Sequence, residues 1–307
     1  MRRMRRVWVL GLLGVVGVLS AVAAASQQPG DKPKLIEVEK LRDNLFVLRG
    51  GGGNTGVFIT SKGVVVVDSK NPGWGQPLLD KIKELTPNPV THLINTHTHF
   101  DHVSGNVEFP TTVEIVAHEN TATLMKEMRT VTGFEPQTGN IFTEHKGRGL
   151  PTRTFTAAHS IGKGADQVDL RYFGRGHTSG DAWVVFPSLR IVHAGDIFPG
   201  KNVPILDANN GGSGLAMGET LAQAAAGLTD VDTIISGHST QMTMADLRQY
   251  AQFNRDFATA VREGKKAGRS IDDIAKSWSM PAAYAGYSQP QAGRLRANVE
   301  VIYNEIK

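Results

Sequence analysis

The stretch THTHFDH, residues 96–102, decides the predicted fold, because it places three histidines and one aspartate within six positions of a 307-residue chain. A buried strand is predicted directly before it, since residues 89–96 are apolar and β-branched. His-x-His projects two imidazoles to the same side of an extended backbone, and imidazole and carboxylate suit zinc. The pattern therefore predicts that one cation takes His97 and His99 and that a second takes Asp101 and His102. A polar surface loop rich in histidine is the alternative.

Further ligands are expected elsewhere in the chain, because each catalytic zinc takes about three protein ligands and a water. Three separate segments end in a ligand-type residue after a strand-like run or a glycine, and these residues are His177, Asp196 and His238. A glycine directly before each of them lets the backbone turn sharply and approach a metal closely. Several such segments together favour a metal site over isolated loop residues.

On these residues the chain resembles the metallo-β-lactamase superfamily. The resemblance rests on five motifs in the family's order, which are VVVVD at 64–68, THTHFDH at 96–102, GHT at 176–178, AGD at 194–196 and GH at 237–238. It extends over roughly residues 35–240. It implies an α/β fold, a four-layer αβ/βα sandwich of two mixed sheets with helices outside and metals at one edge between the sheets.

The resemblance also implies a ligand set for two zinc ions per chain, bridged by water or hydroxide. One ion is expected to be held by His97, His99 and His177. The second is expected to be held by Asp101, His102 and His238, with Asp196 bridging the pair. Asp101 is further expected to orient the attacking water. Asp68 is expected to hold a ligand segment through hydrogen bonds or, alternatively, to be a strand-end turn residue. The sequence identifies no substrate-binding residue.

Residues 1–25 are interpreted as a signal peptide, because four arginines precede an apolar run that ends in three alanines. An uncleaved membrane anchor is the alternative, and the arginines are also compatible with a twin-arginine export signal. Without this segment the 33 basic residues fall to 29 and equal the 29 acidic ones, so net charge does not indicate nucleic-acid binding. A periplasmic or secreted protein without stable membrane insertion is expected. The absence of cysteine excludes disulfides.

The remaining chain is predicted to hold a metallo-β-lactamase-like domain at 26–242 and a helical extension of that domain at 243–307. Helical periodicity follows residue 243, and Thr243 with Asp246 resembles a capping box. Residues 132–152 are rich in Gly, Thr and Pro and predict an irregular, exposed insertion. The apolar helix faces indicate packing but leave the oligomeric state open.

The predicted function is an exported dinuclear zinc hydrolase that uses a metal-bound hydroxide on a cyclic amide or ester of a small molecule. Known β-lactamases of the family carry cysteine or serine where this chain has Asp196, and aspartate there resembles lactonases and thioesterases of the glyoxalase II type. Export favours β-lactamase activity as the first candidate, with a lactonase or thioesterase as the alternative. An iron-dependent oxidoreductase on the same fold and a non-catalytic metal-binding protein remain further alternatives.

Overall fold

The structure of the chain, a computed structural model, describes residues 34–136 and 139–307. The expected signal segment at residues 1–25 lies outside the described residues. Across the described part of the chain, no helix combines the length and the apolar character that crossing a bilayer requires.

Two mixed β-sheets form the centre of the structure. The first has seven strands in sequential order, antiparallel from β1 to β4 and parallel from β4 to β7. Its strands are β1 Glu37–Arg42, β2 Leu45–Arg49, β3 Thr55–Thr60, β4 Gly63–Val67, β5 Val90–Asn95, β6 Glu114–His118 and β7 Arg153–Phe155.

The second sheet has six strands in the order β13-β12-β11-β10-β9-β8. Its strands are β8 Ala158–Ile161, β9 Val168–Arg171, β10 Trp183–Phe186, β11 Ile191–Gly195, β12 Thr233–Ser236 and β13 Met242–Thr243. All neighbours are antiparallel except β11 and β12, which run parallel. Each sheet therefore contains at least one parallel pair whose carboxyl ends lie together.

Helices cover the outer face of each sheet. The helices of the described part of the chain are α1 Gly75–Leu85, α2 Phe100–Val103, α3 Glu119–Glu127, α4 Ile141–Glu144, α5 Gly214–Gly227, α6 Met244–Lys266, α7 Ile271–Ser277 and α8 Ala292–Glu305. Helix α1 packs its buried face against the first sheet, whereas α5, α6 and α8 share a core with the second sheet.

The strand β4 shows why the layers stack in this way. Val65 and Val67 face the second sheet, whereas Val64 and Val66 face the helix layer with α1. All five residues of β4 are buried, as expected for a strand covered on both faces. The continuous apolar run therefore reflects a central position between two layers.

The predicted four-layer sandwich with C-terminal helices is confirmed by this arrangement of helices, sheet, sheet and helices. The Thr243–Asp246 capping box begins α6 as predicted. The expectation of an exposed, irregular insertion at 132–152 is wrong in part, because α4 lies within it. Phe142 of α4 is only 1% exposed and packs with Val103 and Met125, so a buried aromatic anchors this segment to the domain.

Candidate metal centre

The predicted ligands lie at one edge of the sandwich, where strands of both sheets end. The THTHFDH stretch follows β5, Asp196 directly follows β11, and His238 follows β12 by two residues. His177 lies in the loop between β9 and β10, six residues beyond the end of β9. Parallel pairing of β4 with β5 and of β11 with β12 brings these strand ends together, so residues far apart in the sequence converge.

The first cluster consists of His97, His99 and His177, whose ring centroids lie 4.4–4.7 Å apart. His177 Nε2 and His99 Nδ1 are 3.1 Å apart. All three side chains are buried, with residue exposures of 1%, 5% and 0% in chain order. The three rings thus direct nitrogen lone pairs into one shared space.

The second cluster consists of Asp101, His102 and His238. His238 Nε2 lies 3.2 Å from Asp101 Oδ2 and 3.3 Å from His102 Nε2. His102 is completely buried, whereas the side chain of His238 is 39% exposed. This cluster therefore borders solvent, and the first does not.

Asp196 lies between the two clusters. Its Oδ1 is 3.3 Å from His102 Nε2, and its Oδ2 is 3.2 Å from His238 Nε2. The same Oδ2 is 4.0 Å from His97 Nε2. Gly237 permits this position, because a Cβ there would lie 1.8 Å from Asp196 Oδ1. Asp196 is thus placed where one carboxylate can serve both clusters.

Two buried polar atoms test whether a cation fits here. Among the described residues, His97 Nε2 and Asp196 Oδ1 are buried and have no hydrogen-bond partner of acceptable geometry. An unsatisfied buried polar group costs about 1–3 kcal/mol, and these two belong to the groups of side chains close enough together to hold metal ions. Imidazole and carboxylate donors together are the set that zinc takes. The donor set therefore fits divalent metal ions.

The rings of the first cluster are each anchored through their other nitrogen. His97 Nδ1 lies 3.0 Å from Thr96 Oγ1, and His177 Nδ1 lies 2.6 Å from the carbonyl oxygen of Ile205. His99 Nε2 lies 2.7 Å from Asp207 Oδ2. Such contacts fix the tautomer and the direction of the nitrogen that faces a metal.

Asp68 plays the same role for the second cluster. Its Oδ2 lies 2.7 Å from His102 Nδ1, and its two oxygens accept hydrogen bonds from the backbone N–H and the hydroxyl of Thr96. Asp68 has φ of +64°, so it is also the strand-end turn residue of the alternative interpretation. One residue therefore ends β4 and connects both clusters.

Asp207 and Ile205 were missed by the sequence analysis. They lie in an irregular segment after β11 that carries no family motif, and nothing in their spacing places them near His99 or His177. Asp207 also accepts hydrogen bonds from the backbone N–H and hydroxyl of Thr132. These long-range contacts depend on the folded path of two loops, which no local pattern encodes.

Burial dominates the protonation of the first cluster. Burial, followed by the nearby His102, lowers the pKa of His97 well below its usual value. Burial and then His99 lower the pKa of His177 to about 4. Both rings are therefore neutral at physiological pH and keep a lone pair for a metal ion.

The carboxylates determine the protonation of the histidines in the second cluster. Burial disfavours the charged form of His238, but Asp196 and then Asp101 outweigh it and raise its pKa to about 9. In the same way, burial is outweighed at His102, where Asp196 and then Asp101 raise the pKa well above its usual value. The concentration of negative charge here favours any cation that enters the site.

His193, the nearest of the other histidines in sequence to Asp196, is not part of either cluster. It is buried, and its Nε2 lies 3.1 Å from the carbonyl oxygen of Asn54. Its Nδ1 accepts a hydrogen bond from the backbone N–H of Gly195. These contacts are structural.

A cavity of about 320 Å³ opens beside the clusters and is lined by ligands from both of them. We call the apolar residues that line this cavity the apolar wall. They are Phe100, Val131, Phe134, Pro199, Val203 and Ile205. Asn202 also lines the cavity. The volume is at the small end of the range for small-molecule sites.

The chain is similar to known proteins in sequence and in fold. A curated relative, the type 2 metallo-beta-lactamase of Elizabethkingia meningoseptica, is 27% identical over 180 residues, which make up 55% of this chain. The matched part is 64% of that relative, so the chain spans less than two thirds of its length.

Solved structures share the fold. A metallo-beta-lactamase from Pontibacter korlensis has a TM-score of 0.59 at 19% identity, and the match covers 72% of this chain and 99% of that one. A stereoselective inverting sec-alkylsulfatase from Pseudomonas sp. has a TM-score of 0.67 at 13% identity, and the match covers 89% of this chain and 50% of that one. At these identities the likeness concerns the fold alone. The model of the metallo-beta-lactamase superfamily matches residues 48–243, well over half of the sequence, and the chain belongs to that superfamily.

Proposed function

We infer that this chain is a hydrolase that holds two zinc ions and opens a cyclic amide or ester. The observation that carries the inference is the position of Asp196 in contact with both clusters, together with the unpartnered buried atoms of His97 and Asp196. A purely structural metal site is closed by its ligands, whereas this one opens on a cavity.

The seven ligand-type residues divide between two ions. His97, His99 and His177 would hold one ion, and Asp101, His102 and His238 would hold the other, with Asp196 shared. Zinc ions bound there would lower the pKa of a water molecule toward neutrality and polarise the substrate carbonyl. No serine or cysteine nucleophile is required.

Asp101 is the residue proposed to act on the attacking water. Its side chain is 20% exposed and lines the cavity, and its Oδ2 is positioned by His238 at 3.2 Å. An ionised carboxylate oxygen there can accept a hydrogen bond from water and so direct the water toward the carbonyl. Burial disfavours the ionised form of Asp101, but His102 and then His238 outweigh it and lower the pKa of this carboxyl, so it can do this at neutral pH.

A β-lactam amide is the first candidate for the scissile bond, because the curated relative is named as a metallo-beta-lactamase. A lactone ester is the second candidate, favoured by the aspartate at position 196 and by the apolar wall of the cavity. A thioester has a carbonyl that the same metal-bound hydroxide can attack, so a thioester substrate is included in the test below. An iron-dependent oxidoreductase would instead hold iron at this site.

Export to the periplasm or the exterior is part of the proposal. It rests on the four arginines and the apolar run within residues 1–25. The substrate is proposed to be a small molecule, since the cavity is small and the charge outside that segment is balanced. Nucleic acid is not an expected partner.

The test uses the purified full chain loaded with zinc and a chromogenic cephalosporin, a chromogenic lactone and a thioester as substrates. Metal analysis of the chain as purified, before any zinc is added, is expected to give two zinc ions per chain. Turnover of at least one substrate is expected, and it should be lost after chelation and in Asp101→Ala. One iron per chain, or turnover that chelation leaves unchanged, would overturn the proposal. Turnover of the lactone alone would keep the metal centre and select the second candidate.

A further inference from the structure

Two kinds of side chain line the cavity beside the metal centre. The carboxylates and imidazoles of the two clusters line it together with the residues of the apolar wall. Val131 and Val203 of this wall are only 6% and 7% exposed, so they form a built surface. A small cyclic substrate whose scissile carbonyl reaches the clusters would share the cavity with this wall.

No lysine or arginine lines the cavity among the described residues. Lys201 is the cation closest in sequence to the wall residues Pro199 and Val203, but its Nζ lies 2.6 Å from Asp246 Oδ1, on α6. Lys201 is therefore already paired with a carboxylate of the protein.

Arg294 also interacts with groups of the protein itself. Its guanidinium lies 4.4 Å from the ring centroid of Phe134, and its Nη1 donates to the carbonyl oxygen of Thr132 at 3.3 Å. Phe134 lines the cavity and Arg294 does not. The aromatic ring thus presents the cavity with an apolar surface, although a cation packs on that ring.

Asn202 is a polar residue that lines the cavity and belongs to neither cluster. Its Oδ1 is buried and has no hydrogen-bond partner, whereas its backbone N–H donates to the carbonyl oxygen of Gly200. A buried amide oxygen without a partner costs about 1–3 kcal/mol. A donor on a bound molecule would remove that cost without any change in charge.

We propose that the apolar wall and Asn202 form a substrate subsite for an uncharged, apolar substituent, and that the enzyme disfavours a substrate that brings a carboxylate to this subsite. The inference rests on the proposed hydrolase function and narrows its substrate class. The physical reason is that a carboxylate taken from water to an apolar surface without a cationic partner loses solvation that nothing in the subsite replaces. Asn202 Oδ1 accepts a hydrogen bond from an N–H or O–H of the substituent.

The test compares a chromogenic cephalosporin that carries an additional carboxylate on its variable acyl substituent with the methyl ester of that substituent, each with the zinc-loaded full chain. The same comparison is made with a chromogenic lactone that carries a carboxylate and with its methyl ester. In both pairs kcat/KM is expected to be at least about tenfold higher for the ester, which corresponds to about 1.4 kcal/mol. An equal or higher kcat/KM for the carboxylate would overturn the proposal.

Phe134→Lys tests the cause of that preference. Phe134 is 49% exposed, so the substitution leaves the core intact, and it adds a cation to the wall while it removes the ring on which Arg294 packs. It is expected to raise the carboxylate-to-ester ratio of kcat/KM about tenfold. The matched control is Val38→Lys on β1, an apolar residue of similar exposure away from the cavity, which should leave the ratio unchanged. An equal change in both variants would overturn the proposal.

Asn202→Leu tests the hydrogen bond. It keeps the size of the side chain and is expected to lower kcat/KM about tenfold for an ester with an N–H on its substituent, with zinc content unchanged. The loss should be smaller for an analogue without that N–H. Equal losses for both analogues would contradict the role of Asn202.

Failure of this proposal can be told from failure of the hydrolase function. If no compound is hydrolysed, the hydrolase function fails, and calorimetric binding of each carboxylate and its ester to the zinc-loaded chain then tests the subsite. Tighter binding of the esters by about tenfold supports the subsite, and equal or weaker binding overturns it. If all four compounds are hydrolysed and the carboxylates are preferred, only the subsite proposal is lost.

Discussion

At the scale of single residues, the site depends on the two nitrogens of each imidazole. In the first cluster one nitrogen faces the shared space, and the other is held by Thr96, Asp207 or the carbonyl of Ile205. A ring held at only one end can rotate about χ2, and its lone pair then leaves the direction of the metal. The anchors therefore set metal affinity almost as directly as the ligands do.

Asp207→Ala is expected to weaken zinc binding by about 10–100-fold, because His99 loses the carboxylate that orients its ring. Affinity is measured by competition with a chromophoric chelator, and circular dichroism checks that the chain is folded. Thr132→Val is the matched control, since it removes the hydroxyl hydrogen bond to Asp207 but leaves the contact with His99. Equal losses of affinity in the two variants would show that Asp207 only holds the loop.

Lys70 makes the stability of the chain depend on pH. It is completely buried, and its Nζ donates to the carbonyl oxygens of Leu48 and Gly53, both at 2.9 Å. Burial lowers its pKa to about 7, against an opposing effect of Asp68. An unfolded lysine has a pKa of about 10.4, so the unfolded chain binds the extra proton between these values. The free energy of unfolding therefore rises with pH in this window, by up to about 1.4 kcal/mol per pH unit.

The measurement is urea unfolding of the metal-free wild type and of Lys70→Met, at about pH 7 and about pH 9. The difference between the two proteins cancels other titrating groups and should move in favour of the wild type as pH rises. Lys126→Met, at an exposed position, should show no such trend. A wild type that loses stability relative to Lys70→Met at the higher pH would contradict the assigned sign.

At the scale of elements, the hairpin between β2 and β3 is matched to the second cluster. Gly53 packs directly on His102, and a Cβ at this position would lie 2.1 Å from His102 Cε1. The backbone N–H of Gly53 also donates to the carbonyl oxygen of Asp101. The glycine-rich turn is therefore fitted to the ligand stretch over a distance of about fifty residues in sequence.

Gly53→Ala is expected to displace His102 and to lower the zinc content from two ions toward one. A displacement of about 1 Å at a catalytic group can cost about 100-fold in rate, so turnover should fall by a similar factor. The control is Gly286→Ala, where a Cβ would meet no atom within 4 Å. Full zinc content and normal turnover in Gly53→Ala would show that the ring adapts without loss.

Elements were predictable where a local pattern and the tertiary environment agree. The stripe of Leu78 and Ile82 predicts α1, and both residues are buried against the first sheet. The Gly, Thr and Pro content of residues 132–152 suggests an irregular loop, yet Phe142 is buried in that segment. One aromatic residue in a polar stretch carries no periodic signal, and its burial is decided by the helix and loop that surround it.

At the scale of the whole molecule, motif order predicted the fold, and the strand ends explain why. Four of the five motifs end or follow a strand that is parallel to a neighbour, namely β4, β5, β11 and β12. The fifth, which holds His177, lies in the loop between β9 and β10, so together the five short patterns specify one edge of two sheets. The ligand-type residues were therefore predictable. Asp207, Asn202 and the apolar wall were not, because loops that approach the edge from other parts of the chain supply them.

The clustering of buried ligands also predicts how metal content governs global stability. Without a cation, the unpartnered buried atoms of His97 and Asp196 oppose folding. Zinc that binds only the folded chain adds about 4 kcal/mol at a free concentration about a thousand times Kd. For a chain of this size that corresponds to a rise in Tm of roughly 10 °C.

Thermal unfolding with chelator and with added zinc measures the difference. His159→Ala, a histidine outside both clusters, should keep the full zinc-dependent shift, whereas His97→Ala should lose most of it. An identical Tm for the wild type with and without zinc would mean that the two clusters hold no metal.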